Sequence, residues 1–366
     1  MLENSSRIGA SDFVSTIQLI EQGQLIIELD SMTSSRVTSY VYLPSEEALV
    51  IMNVFNNSLY KYDMSTGKLV SIEIFPKEGP DGVGQFANTT EFVYQGDSIL
   101  FHDRSRKTLI MVDASRNVIY KTAFSKKYAS TPYGMWDNWI NPYERGYSMS
   151  GAPTRNSLKT VPNDLDSLEF YFDPKDSSLT RLYMPIPEVY KGEKWLPEVM
   201  RYFRQFNPKR NEYIYGWPIS DSIYIKDSFN HIRGVYMGTN NYVRNVPLPD
   251  NVEPYVFNQK LKLDYYYEQG EYSYLYYDRF RDMLFRYAFS GIKEDRVDIN
   301  TPFKNKDLFD RTLIISDGNY NKIGEFNADM YLPYVSIFTE ESIFLLREVE
   351  DEDFLVFDKF KVLLNE

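Results

Sequence analysis

The 366-residue sequence contains no cysteine and only two histidines. Disulfides, thiolate metal sites and a cysteine nucleophile are therefore excluded. His102 and His231, 129 positions apart, cannot form a histidine-rich metal site. No run approaches the roughly 18 apolar residues a membrane helix needs. The opening "MLENSSRIGAS" has no apolar signal-peptide stretch, and reads as a cytoplasmic start or as a mature tail whose export signal has been removed. A basic excess is also missing. Acidic residues outnumber basic ones 52 to 40, for a net charge of −12 and a pI near 4.9. A nucleic-acid binder is expected to carry a basic face, and adhesion to anionic lipid needs one too.

Aromatic side chains are plentiful: 31 Tyr, 24 Phe and 4 Trp. Tyr and Phe suit pleated, half-buried strands, so the excess points to β-sheet, and secondarily to a stacking surface for sugars or peptides. With 43% apolar and 25% charged residues, the chain can build a packed core.

The organisation is a repeat. One recurring element begins with an acidic residue, then a small residue and alternating apolar positions. It reads "EALVIMN" (47–53), "DSILFHD" (97–103), "DSIYIKD" (221–227) and "ESIFLLR" (341–347), with looser copies "DMLFRYA" (282–288) and "ERGYSMS" (144–150). A second element is an apolar strand ending in Asp before a polar turn: "LYKYDMSTGKL", "LIMVDASRNVI", "EFYFDPKDSSL", "LIISDGNYNKI" and "FLVFDKFKVL", with only "VYMGTNNYV" (235–243) in the fourth unit. Turn residues sit where hairpins need them. Six units of about 60 residues fit an all-β, six-bladed β-propeller with four-stranded blades. Its N-terminal strand "GQLIIELD" (23–30) is expected to complete the last blade. Residues 1–14 read as a flexible tail and 15–366 as a single domain. A pair of β-sandwiches is the rival, but would need Greek-key spacing. "GEKWLPEVMRYFRQF" (192–206) is the one helix candidate, in a linker between blades.

"NNSLYKYDMSTGKL" followed by "EGPDGVGQF" (78–86) resembles the six-bladed propeller proteins of Bacteroidetes-type bacteria, many of them lipoproteins of unknown function. The resemblance covers nearly the whole chain and rests on structural motifs. It implies a propeller fold and an extracytoplasmic location, periplasmic or cell-surface, with a lipid anchor on a precursor cysteine absent here. It implies no catalytic residues.

In a propeller the connections between second and third strands, and those between blades, open on one face, the expected binding surface. Insertions at about 151–167 and 289–311 and inter-blade segments 75–90, 124–135 and 187–211 elaborate it. His102, Asp103 and Arg104 fall in a second-to-third turn there. They form either a general base beside an anion grip or a solvated turn, and the turn is favoured because no Ser/His/Asp order accompanies them. His231 is expected in the equivalent turn of the fourth unit. "YDRFRD" (277–282) shares Asp-Arg-x-Arg with "HDRSRK", but its phasing places it in a first-to-second turn on the opposite face.

Tyr133, Trp136 and Trp139, with Trp217 in the corresponding strand of unit four, are stacking candidates, or else packing between blades. "DGNYN" (317–321) lacks the Gly and bidentate Glu of a calcium loop, and "EGPDGVG" lacks the Lys of a phosphate loop. No metal and no cofactor is expected. The function expected is a non-catalytic binding or scaffold module for a glycan or protein partner. The alternative is a glycan hydrolase or lyase with carboxylate, Tyr and Arg groups at the channel mouth, requiring two carboxylates about 5 to 10 Å apart.

Overall fold

The computed structural model describes residues 16–103, 105–123, 140–143, 146–150, 169–173, 175, 178–182, 186–196, 199, 202–239, 245–249, 251–252, 265, 268–292 and 310–364. The chain opens with β1 (Ile17–Glu28). The first sheet follows as β2 (Tyr40–Leu43), β3 (Ala48–Asn53), β4 (Ser58–Asp63) and β5 (Leu69–Ile74). The second comprises β6 (Thr90–Gln95), β7 (Ser98–Asp103), β8 (Thr108–Val112) and β9 (Val118–Ala123). The third holds β10 (Ile140–Tyr143), β11 (Gly146–Ser150), β12 (Glu169–Asp173) and β13 (Ser178–Leu182). The fourth holds β14 (Phe203–Asn207), β15 (Glu212–Gly216), β16 (Ser222–Lys226) and β17 (Ile232–Tyr236). The fifth holds β18 (Glu271–Asp278), β19 (Met283–Phe289), β20 (Arg311–Ser316) and β21 (Lys322–Asn327). The last is β22 (Tyr331–Phe338), β23 (Ile343–Arg347) and β24 (Phe354–Leu364), with β1 added beside β24.

Each sheet is four-stranded and antiparallel, a meander throughout except in the last, where β1 joins the β22–β24 meander, and the fold is an all-β propeller. The expectation of a six-bladed propeller with four-stranded blades needs correction. Five four-stranded blades are described in side chains as well as backbone. Strands β10–β13 pair in order, and Phe172 of β12 is buried between Tyr171 and Asp173, which are partly exposed.

The sequence pattern explains the layering. Middle strands are apolar almost throughout because both their faces are covered: every residue of β3 and β20 is buried. Leu49 and Ile51 pack toward the last sheet with Leu25, Ile27, Phe344 and Phe357. Their neighbours Val50 and Met52 pack toward the second sheet with Phe92, Ile99, Phe101 and Ile110. Burying each such side chain contributes about 1.5–3 kcal/mol. The outermost strands β9 and β17 have exposed positions along their length. The first strand of each described blade is innermost, with β14 beside β18, β18 beside β22 and β2 beside β6.

β1 pairs with β24 from Ile17↔Leu364 to Glu28↔Phe354. The strand begins six residues earlier than residues 23–30 would place it, because a bulge lets it run on. Register shifts between Glu21 and Gln24, and Gly23 there takes φ 105°, a conformation open to glycine.

Unit four is phased differently from the sequence reading. Its second strand is β15, and "DSIYIKD" is the third strand, β16. The residue that opens a second strand must tolerate left-handed backbone rather than carry charge. Glu47 (φ 47°) and Asp282 (φ 56°) fill that role, and in unit four Asn211 (φ 54°) does. Asp221 reproduces the acidic pattern one strand too late. The helix candidate 192–206 is likewise corrected. Phe203–Asn207 is strand β14; within the stretch Val199 is in 3-10 conformation, and a 3-10 turn, Glu188–Tyr190, lies upstream of it.

Candidate functional site

The meander order sends second-to-third turns and inter-sheet connections to one face, here the top, and the other two turns to the bottom. On the bottom, third-to-fourth turns share one construction. The carboxylates of Asp63, Asp113, Asp227 and Asp317 each accept backbone N–H groups from two to four residues ahead, an Asx turn. Hydrogen bonds from Ser65 and Thr66 hold Asp63 down at about 2. Asp317 of "DGNYN" is one more of these turns.

His102 and Asp103 end β7 on the top face, both buried. His102 Nδ1 lies 3.9 Å from Glu91 Oε2 on the adjacent strand. Asp103 Oδ1 accepts the Arg106 backbone N–H at 2.9 Å, and its Oδ2 lies 3.3 Å from Arg106 Nε. Arg106 in turn donates to the Gln85 carbonyl at 2.9 Å. The Asp103–Arg106 part of the knot locks the second-to-third turn onto the 75–89 connection. Arg104 lies outside the described residues, as do Tyr133, Trp136 and Trp139.

His231 is not the counterpart of His102. It sits in the β16–β17 turn on the bottom face, its side chain 82% exposed and its Nδ1 3.1 Å from Asp227 Oδ2. Trp217 follows the second strand β15 rather than lying in the innermost one. It is 1% exposed, with ring centroids of Tyr190 at 5.2 Å and Tyr202 at 5.5 Å. It packs the 186–202 connection onto the fourth sheet.

A cleft of about 380 Å³ opens on the top face where the last sheet meets the first. Its apolar surface comes from Leu332, Leu346, Val349, Phe354 and Leu355, and its polar groups include Arg36, Tyr334, Arg347 and Glu348. Leu346 and Leu355 belong to the core between those two sheets. Two arginines bind carboxylates here. Arg311 Nη1 donates to Glu348 Oε2 at 3.0 Å and to the carbonyls of Asp329 and Tyr331. Arg347 donates to fully buried Asp358 at 2.6–3.2 Å, which also accepts from Tyr331 Oη and Gln24 Nε2. Burial works to raise the pKa of Asp358, and those hydrogen bonds outweigh it, leaving the group lowered. The Tyr334 hydroxyl is raised by burial, partly offset by the Arg36 charge.

Among the described residues Glu348 is the one carboxylate lining this cleft, so they bring no pair of acids of the kind a glycosidase uses into its lining. Three large apolar side chains stand exposed on connections of the same top face: Met32 (51%), Phe55 (63%) and Met330 (49%). Asn53 ties two of them together, donating to the Met32 carbonyl and accepting the Phe55 N–H. Met330 O accepts the Glu348 N–H at 2.8 Å. Sequence reasoning did not point to Arg36, Tyr334 or Glu348. Arg36 lies some 300 positions from the other two and joins them in one cleft only because the first and last sheets adjoin.

A domain of unknown function, DUF4221, matches residues 16–327. The chain belongs to the DUF4221 family. The match ends at β21, so the 332–355 wall of the cleft lies beyond it. A DUF4221 protein from Bacteroides vulgatus ATCC 8482 has a similar crystal structure, with TM-score 0.75 at 15% identity, over 95% of this chain and 99% of that one. A protein assigned as exported from Bacteroides fragilis NCTC 9343 is similar at TM-score 0.54 and 11% identity, over 97% and 98% of the two chains. No curated protein matches the sequence. Among the described residues no helix is long and apolar enough to cross a membrane.

Proposed function

We propose that this DUF4221 propeller is a non-catalytic, extracytoplasmic binding module that holds a protein partner in its top-face cleft. The observation that carries the reading is the cleft itself, with its apolar floor, on the face where Met32, Phe55 and Met330 stand exposed. Exposed large apolar groups around a concavity mark interaction sites, and methionine adapts its shape to a protein surface. Trp217, one of the rings a glycan platform would use, is buried in packing. Export is carried over from the Bacteroides fragilis relative, in line with the resemblance of the sequence to exported propellers.

The test places a photo-crosslinking phenylalanine analogue at position 55 on the top face or at position 229, a still more exposed phenylalanine on the bottom. In the cells that produce the protein, a discrete adduct is expected from position 55 alone. Equal labelling from both positions, or none from position 55, would contradict the reading.

A further inference from the structure

The cleft has two walls of different character. One is the 29–39 connection, which contributes Ser35 and Arg36. The other is the β23–β24 turn, which runs Glu348, Val349, Glu350, Asp351, Glu352, Asp353. The turn is fixed in place: Leu29 N–H donates to the Asp353 carbonyl at 2.8 Å, and Asp353 N–H donates to Asp351 Oδ1 at 3.0 Å.

Charge is distributed unevenly over this turn. Glu348, inside the cleft, is neutralised by Arg311 at 3.0 Å. The next four carboxylates, leaving out Val349, are exposed, and none of them makes an ion pair among the described residues. Arg36 is a cation that the facing wall contributes to the cleft. An uncompensated acidic run beside an apolar floor is a complementary surface for cations attached to apolar anchors.

We infer that the partner held in this cleft presents a basic, apolar-anchored segment, with leucine- or phenylalanine-like side chains on the floor and flanking Lys or Arg against residues 350–353. The inference rests on the binding reading above and adds the chemistry of the partner. Four like charges on one short turn also speed encounter with a cationic segment, an effect that salt weakens.

The probes are two fluorescein-labelled synthetic peptides, Lys-Lys-Leu-Phe-Lys-Leu-Lys-Lys and its counterpart with Glu for every Lys, titrated against the full chain by anisotropy. The basic peptide should bind at least about tenfold tighter than the acidic one, with affinity falling as salt rises. Reversing Glu350→Lys and Asp351→Lys together should weaken it about fivefold or more. The same charge change on the bottom face, Asp97→Lys with Glu341→Lys, should change it by less than about twofold. Phe55→Ala should also weaken it.

Equal weakening by the two charge-reversed pairs would mean general attraction to an acidic protein and overturn the inference. So would equal binding of both peptides. A crosslink from position 55 combined with no preference for the basic peptide would leave the binding reading intact and remove the basic partner. Absence of the crosslink would remove both.

Discussion

Asp358 shows how one buried charge is kept ionised in the last sheet. It has no exposed surface, yet three side chains donate to its two oxygens, enough to hold its pKa below the usual carboxylate range against the cost of burial. A carboxyl lowered on folding stabilises the native state fully above its unfolded value near 3.9, and that contribution is lost as pH falls through the folded value. Asp358→Asn keeps the shape and removes the charge facing Arg347. We expect it to cost about 3 kcal/mol at pH 7, read as a drop in the denaturation midpoint. The difference between the two proteins should shrink as pH falls below about 4. A difference that persists undiminished into acid would mean that shape rather than charge is at stake. Asp63 shows what single residues reveal beforehand. Asp followed by Ser, Thr and Gly is a turn signal with a mechanism, and its hydrogen bonds to Ser65 and Thr66 are the ones that signal requires.

Elements were legible where their local chemistry was self-sufficient. The apolar run of β3 and the apolar centre of β20 follow from both faces of each strand being covered. Phasing failed in unit four because two chemistries meet one backbone requirement. Asn211 takes the left-handed position without a charge, and Asp221 displays the charge at a different turn. The joint between the fourth and fifth sheets was not visible at all. Arg286 on β19 is 1% exposed, donates to the carbonyls of Met237, Trp217 and Ser220 at 2.7–3.1 Å, and stands 4.0 Å from the Tyr272 ring centroid. No sequence pattern distinguishes such an arginine from a surface one. Replacing it with Leu would strand three buried carbonyls, at a cost of about 3 kcal/mol or more. Arg286→Lys, with one compact ammonium, should recover only part of that. Equilibrium denaturation of both variants checks the order, and equal stabilities for Leu and wild type would refute it.

At the scale of the whole molecule, stability depends on joining the two ends of the chain, and so does the cleft. Arg36 reaches Tyr334 and Glu348 only because the first sheet packs against the last, and β1 stands on that seam. Ile27 and Leu25 enter the shared core, and Gly67 of the first sheet's hairpin lies so close to β1 that a Cβ there would overlap the Ile26 carbonyl. Gly67 also has φ 72°, so Gly67→Ala would bring both a clash and left-handed strain. Removing residues 1–28 would uncover Leu355 and Phe357 and leave β24 as a bare edge, an invitation to aggregation. The shortened chain is expected to melt at least about 10 °C lower. Adding the peptide Ile17–Leu29 in trans should restore the melting temperature in a concentration-dependent way, because a segment that binds only the folded state stabilises it by mass action. The same addition should restore binding of the basic peptide, since the cleft wall carrying Arg36 is set by the same seam. A shortened chain that melts unchanged, or that the peptide cannot rescue, would show that the ring is held shut by its remaining contacts and that β1 only covers them.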